Sequence, residues 1–150
     1  GLGRLGGVAS KQCARQIKAE LGQVRIATMG KKDISVKIYK DAADRCYYMQ
    51  ETSTEIGSGF TESSVTTAPE KIGSSRVTIK WIKEYSDKSR SALTELGDGD
   101  AIEVKFNRTT GGLDYISGGT QYVLSELEIS SGTKVHTLEL SKLTGKVTGD

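Results

Sequence analysis

Residues 8–41 read VASKQCARQIKAELGQVRIATMGKKDISVKIYKD, and a change of period inside this stretch decides the fold class. From Val8 to Met29 the apolar positions Ala9, Cys13, Ile17, Leu21 and Val24 recur at steps of four and three, with Ala14 and Ala27 widening the stripe. That spacing lines one side of an amphipathic helix. Lys11, Arg15 and Lys18 fall on the opposite side, and Arg25 at its margin. Two residues disturb the pattern: Glu20 projects close to the stripe, and Gly22 costs about 1 kcal/mol inside a helix relative to Ala. A shorter helix would stop at Leu21 with Gly22 as its cap. The good helix formers Gln12, Arg15, Ala19 and Leu21 favour the longer version, roughly 33 Å long. Gly30 then ends it in the left-handed conformation, with Lys31 and Lys32 at the negative end of the helix dipole. Immediately beyond, Ile34, Val36 and Ile38 alternate with Ser35, Lys37 and Tyr39, the period of a half-buried strand.

Outward from this stretch the strand signals continue. Asp41 to Asp44 is a turn, and Arg45 to Met49 the hairpin partner. Residues 51–75, rich in Ser, Thr, Glu and Gly, read as a long irregular connection holding at most one short strand. Val77, Ile79 and Trp81 alternate, as do Ile102, Val104 and Phe106, with a second polar excursion over 84–100 between them. Val123, Leu127 and Ile129 form a fifth strand, joined through Ser130–Thr133 to a sixth at 135–140. Thr144-Gly145 turns the chain into a last short strand near Val147. Short connections force antiparallel pairing. The expected class is α+β: a long N-terminal amphipathic helix packed on one antiparallel sheet of about six or seven strands. Residues 1–7, GLGRLGG, read as a flexible leader, and 8–150 as one globular domain. No repeat of fixed period is apparent.

Composition limits the chemistry. One His and two Cys in 150 residues leave little material for a multi-ligand zinc site or a His relay. Eighteen Gly, sixteen Ser and fifteen Thr against one Pro suit turns and strand faces better than a helix bundle. No run of 18 apolar residues occurs. The net charge of +2 gives no whole-protein case for nucleic acid, but it hides an asymmetry. Residues 4–32 carry an excess of +6, and the remainder −4. A basic N-terminal segment on an acidic body points to an anionic surface at that end; a solvated polar helix face is the plain alternative.

The individual motifs carry little. Gly1-Leu2-Gly3-Arg4-Leu5-Gly6 matches G-x-G-x-x-G without the preceding strand that a dinucleotide site needs. Cys13 on the helix stripe and Cys46 at the start of the second strand could staple helix to sheet as a disulfide, or remain two small buried thiols. Asp98-Gly99-Asp100 offers oxygens to calcium in principle, but lacks the EF-hand spacing and terminal Glu, and an exposed β-turn explains it. Asn107-Arg108-Thr109 is a glycosylation sequon by pattern. His136 shares strand parity with Leu138 and Leu140, the position of a partly packed imidazole. The nine aromatics do not alternate with Arg and Lys as a nucleic-acid stacking platform would. No catalytic residue, cofactor or small-molecule ligand is indicated.

The stretch from Ala9 to Asp41 resembles the globular half of a type IV pilin-like protein, where a long helix ends near a small residue and a polar turn leads into a strand. Ile102 to Gly111, IEVKFNRTTG, is similar to a strand-and-turn element of minor pseudopilins, and Leu138 to Val147, LELSKLTGKV, to their closing segment. The resemblance implies a subunit of a type IV pilus or type II secretion pseudopilus, placed at the cell surface or in an extracellular filament. Its partners would be other pilin or pseudopilin subunits. It would be anchored before assembly by a methylated apolar segment of about twenty residues, which is absent here, so that Gly1 would mark a truncation. Without a pair of C-terminal Cys enclosing a loop, the resemblance is to a minor pilin or pseudopilin. It assigns helix packing in the assembly to Ala9, Cys13, Ile17, Leu21 and Val24, and contact with anionic headgroups to Lys11, Arg15, Lys18 and Arg25. Two other classes stay open: a secreted adhesin-like module binding through the polar excursions, and a bacteriophage virion or tail subunit.

Overall fold

Among the described residues, helix α1 (Leu2–Thr28) is followed by ten strands: β1 (Asp33–Lys40), β2 (Tyr47–Ile56), β3 (Glu62–Thr66), β4 (Glu70–Gly73), β5 (Thr78–Tyr85), β6 (Thr94–Glu95), β7 (Ala101–Lys105), β8 (Tyr122–Ser131), β9 (Lys134–Leu140) and β10 (Val147–Gly149). The computed structural model describes residues 2–29, 32–56, 59 and 62–149, with side chains from residue 9 onward except that of residue 56. Gly30 as helix stop, Lys31 and Phe60 lie outside the described residues.

The strands form two antiparallel sheets. The first has the order β3-β2-β1-β7, with β4 also on β2; the second runs β10-β9-β8-β5-β6. The α+β expectation of a long helix on one sheet is therefore wrong. The molecule is mostly β, and its helix is too short against that much sheet to set the class. The physical reason is that alternation reports one buried face per strand and not which layer covers it. Val36 and Ile38 of β1 and Ile79 of β5 give the same local signal but belong to different sheets.

One core fills the space between the layers. It joins Ile17, Leu21 and Val24 of α1 to Val36, Tyr47 and Ile102 of the first sheet and to Ile79, Leu127, Ile129 and Leu138 of the second. The helix touches β8, β9 and β10 on one side and β1 and β4 on the other. Tyr47 ties the sheets together from inside. Its hydroxyl accepts the Ile79 N–H and donates to Leu96 O, both at 3.2 Å, so a fully buried phenol closes a hydrogen-bond chain instead of stranding a polar atom. Tyr122 makes a second tie, accepting the Glu103 N–H at 3.1 Å.

Among the described residues, the stretch 51–75, expected as an irregular connection, is mostly strand. β2 continues to Ile56, and β3 and β4 run one after the other along the same edge of it. The break between them falls at Thr67-Ala68-Pro69, where proline has no N–H for a ladder. Thr67 repairs the gap: its N–H bonds Glu51 O, its hydroxyl accepts the Glu51 N–H, and Gln50 Nε2 donates to its carbonyl. Residues 2–7, assigned to a flexible leader by composition, fall within α1.

Candidate functional site: the two faces of the helix

The inner stripe of α1 belongs to the domain itself. Cys13, Ile17, Leu21 and Val24 are buried in the shared core, and Ala9 packs against its rim. These five residues were expected to pack the helix in an assembly; in the chain itself four of them are covered by its own two sheets. Ser10 is buried with them, its N–H donating to Ser131 Oγ at 3.1 Å. Cys13 approaches the sheet so closely that a Cβ on Gly73 would lie 3.2 Å from its sulfur.

Cys13 and Cys46 are both buried free thiols, so the candidate disulfide between them is not formed. Burial pushes the Cys13 thiol up to about 12, which leaves essentially no thiolate at neutral pH. Cys46 turns its sulfur toward Asp44 O.

The basic residues divide in two. Arg25 is half-buried, and its Nε donates to Thr144 O at 2.7 Å and Gly111 O at 3.2 Å. Expected to meet anionic headgroups, it clamps two turns in the chain itself. Lys18 reaches Gly149 O at 2.9 Å while remaining exposed. Lys11 and Arg15 are exposed and take part in none of the ion pairs among the described residues. The same outward side continues with exposed Ala19, Gln23 and Ile26, the last 67% accessible.

Beside this basic strip lies an acidic one. Glu20 sits over the β2–β4 edge, where burial first and then the Glu70 and Glu51 carboxylates hold its carboxyl above the usual range. Gln16 Nε2 donates to Glu70 at 2.9 Å. A raised folded-state pKa means that this group's contribution is fully present below the ordinary glutamate range and is lost as pH rises through the folded value.

The turns that Arg25 holds are two of three copies of one design. In Asp41–Cys46, Asn107–Gly112 and Ser141–Lys146 the first N–H bonds the sixth carbonyl and the fifth N–H bonds the first carbonyl. The fifth residue is left-handed each time: Arg45 at φ 61°, Gly111 at 76°, Gly145 at 72°. The opening side chain caps the turn, with Asp41 accepting from Ala43 and Asp44, Asn107 from Thr109 and Thr110, and Ser141 from Thr144. Polar-x-x-Asp/Thr followed by Gly or Arg is the shared sequence signal. Its copies are unevenly spaced, which is why no fixed period reveals them.

Two further motifs are engaged in local contacts. The Asn107 amide is half-buried, with Nδ2 on Asp114 at 3.2 Å and Oδ1 on two backbone N–H groups, so it is engaged in the turn and not presented as a glycan acceptor. Asp98 sits between Lys40 and Arg45 at 3.5 and 3.3 Å, and Asp100 accepts the Gly97 N–H at 3.0 Å. Two cations beside Asp98 oppose a calcium ion, and among the described residues no group of three His, Cys, Asp or Glu could hold a metal. Residues 97–100 form the β-turn, with the Asp100 N–H on Gly97 O and Gly99 at φ 80°. His136 is partly buried on β9.

Among the described residues no helix is long and apolar enough to cross a membrane. No protein-family model, curated protein or solved structure matches the chain, and none of the three comparisons therefore identifies a family.

Proposed function

We propose that the chain is a non-enzymatic structural subunit, a minor pilin or pseudopilin of a type IV pilus or type II secretion pseudopilus, acting by filament assembly at the cell surface. The observation that carries this reading is the outward side of α1. Lys11, Arg15 and Lys18 stand exposed in one strip on a helix whose other side is sealed into the domain. A strip of that kind suits an anionic surface, first lipid headgroups and then neighbouring subunits. Changing Lys11, Arg15 and Lys18 together to Glu leaves the domain folded, because none of the three is buried, and impairs filament incorporation in the native host. Normal piliation with the triple variant overturns the proposal. Mass spectrometry of the native N-terminus supplies an independent check: a methylated first residue and an apolar segment of about twenty residues are expected.

One observation favours the adhesin-like reading as a second choice. All of β3 and the outer part of β2 are at least partly exposed, and their hydroxyls pair across the strands as Thr52–Thr66 and Thr54–Ser64. This polar arm would be the binding element, and ligand screening of the isolated domain separates the two readings.

A further inference from the structure

The outer face of the second sheet answers the outer face of the helix in charge. Residues paired across antiparallel strands share a face. The face turned away from the core therefore carries Lys80 and Ile82 of β5, Glu126 and Glu128 of β8, Glu139 and Val135 of β9, and Glu95 of β6. Four carboxylates stand there against Lys80, with the Arg90 guanidinium donating to Ser125 Oγ beside Glu126. Glu126 and Glu139 are directly opposite each other, as are Glu128 and Lys80. None of Glu126, Glu128 or Glu139 enters an ion pair among the described residues. Like charges directly opposite across strands are unfavourable in a sheet, and a cation seated between Glu126 and Glu139 would offset that.

The geometry points to a head-to-tail contact between copies of this chain, with the Lys11–Arg15 strip of one helix seated on the Glu126, Glu128 and Glu139 face of the next copy. It rests on the filament reading and supplies that reading with a named interface. Three features carry it. Helix and acidic face lie on opposite sides of the second sheet, because α1 packs on the inner surface of β8 and β9. A contact between opposite sides is heterologous and propagates instead of closing as a dimer. The spacing agrees: Lys11 and Arg15, one turn apart, are separated by about 6 Å along the helix, and Glu126 and Glu128 by about 7 Å along the strand. Each strip is also flanked by exposed apolar side chains, Ala19 and Ile26 on the helix and Val135 on the sheet, the last 57% accessible.

Sedimentation velocity on the full chain tests this with two variants, K11E/R15E and E126Q/E128Q/E139Q, each checked for folding by circular dichroism. At about 50 mM salt the unmodified chain is expected to grow in mass with concentration, and to revert to monomer at about 500 mM. Each variant alone should associate at least about tenfold more weakly. An equimolar mixture of the two retains one good interface and should stop at a 1:1 dimer. A monomeric unmodified chain at low salt, or association indifferent to either variant, overturns the inference. So does a chain that stays monomeric yet loses binding to phosphatidylserine vesicles on K11E/R15E, since the helix then serves lipid. In cells the two ideas separate. Normal filaments with E126Q/E128Q/E139Q but not with the triple helix variant remove this interface and keep the filament reading, whereas normal filaments with both remove the two together.

Discussion

The Asp41–Cys46 and Ser141–Lys146 turns share their backbone hydrogen bonds but differ in what stands beside the left-handed residue. At the first, Arg45 is exposed and its guanidinium reaches Asp98. At the second, a Cβ on Gly145 would lie 1.9 Å from Gly111 O. The same dihedral angle is thus a mild local cost at one site and an absolute demand for glycine at the other. Conformation alone favours glycine by about 1 kcal/mol; the neighbouring backbone decides the rest. Gly145 is where the two clamped turns touch, and Arg25 holds them in register from the helix.

Substitutions at these positions test that distinction. Gly145→Ala is expected to have the largest effect, a loss above about 3 kcal/mol or failure to fold, because backbone has to move. Denaturant melts measure it, and a loss near 1 kcal/mol would mean that crowding adds nothing to conformation. Arg25→Met comes next, with about 1–2 kcal/mol lost through two unanswered carbonyls. A drop in Tm for Arg25→Met, with none for K11E/R15E, separates the structural arginine from the displayed cations. Gly111→Ala should cost somewhat less than Gly145→Ala, about 1–2 kcal/mol. Its added Cβ meets Arg25 Nη2 at 2.9 Å and Met29 Sδ at 3.0 Å, the ends of flexible side chains that can swing away. Arg45→Gly is the smallest change, under about 1 kcal/mol in either direction, since relief of the left-handed strain is offset by a freer unfolded chain.

The arm formed by β2 and β3 explains why part of the fold escapes a reading of the residues. Residues 51–55, ETSTE, are polar throughout, and β3, ESSVT, is exposed along its whole length, Val65 included. Such strands carry no hydrophobic alternation and are held by the ladder and by hydroxyl pairs, which leave no periodic mark. β1, β5, β7 and the β8–β9 hairpin bury alternate side chains and are legible for that reason. The hairpin turn also follows from its residues: Gly132 takes φ 58° at the first position of a two-residue turn between Ser131 and Lys134.

At the candidate site the division runs the same way. The stripe of Cys13, Ile17, Leu21 and Val24 and the opposite placement of Lys11 and Arg15 follow from helical spacing alone. Spacing could not reveal that the stripe is covered from within the same chain, nor that Arg25, one residue past Val24, points to two carbonyls some 86 and 119 positions away.

By itself the sequence determined the local periods, the turn chemistry and the separation of charge between N-terminal segment and body, because each depends on residues within a few positions of one another. Only the tertiary structure decided that the strands divide into two sheets, that Tyr47 joins them, and that the acidic face lies opposite the basic helix. Those facts depend on which distant surfaces meet, and a buried side chain records only that it is covered.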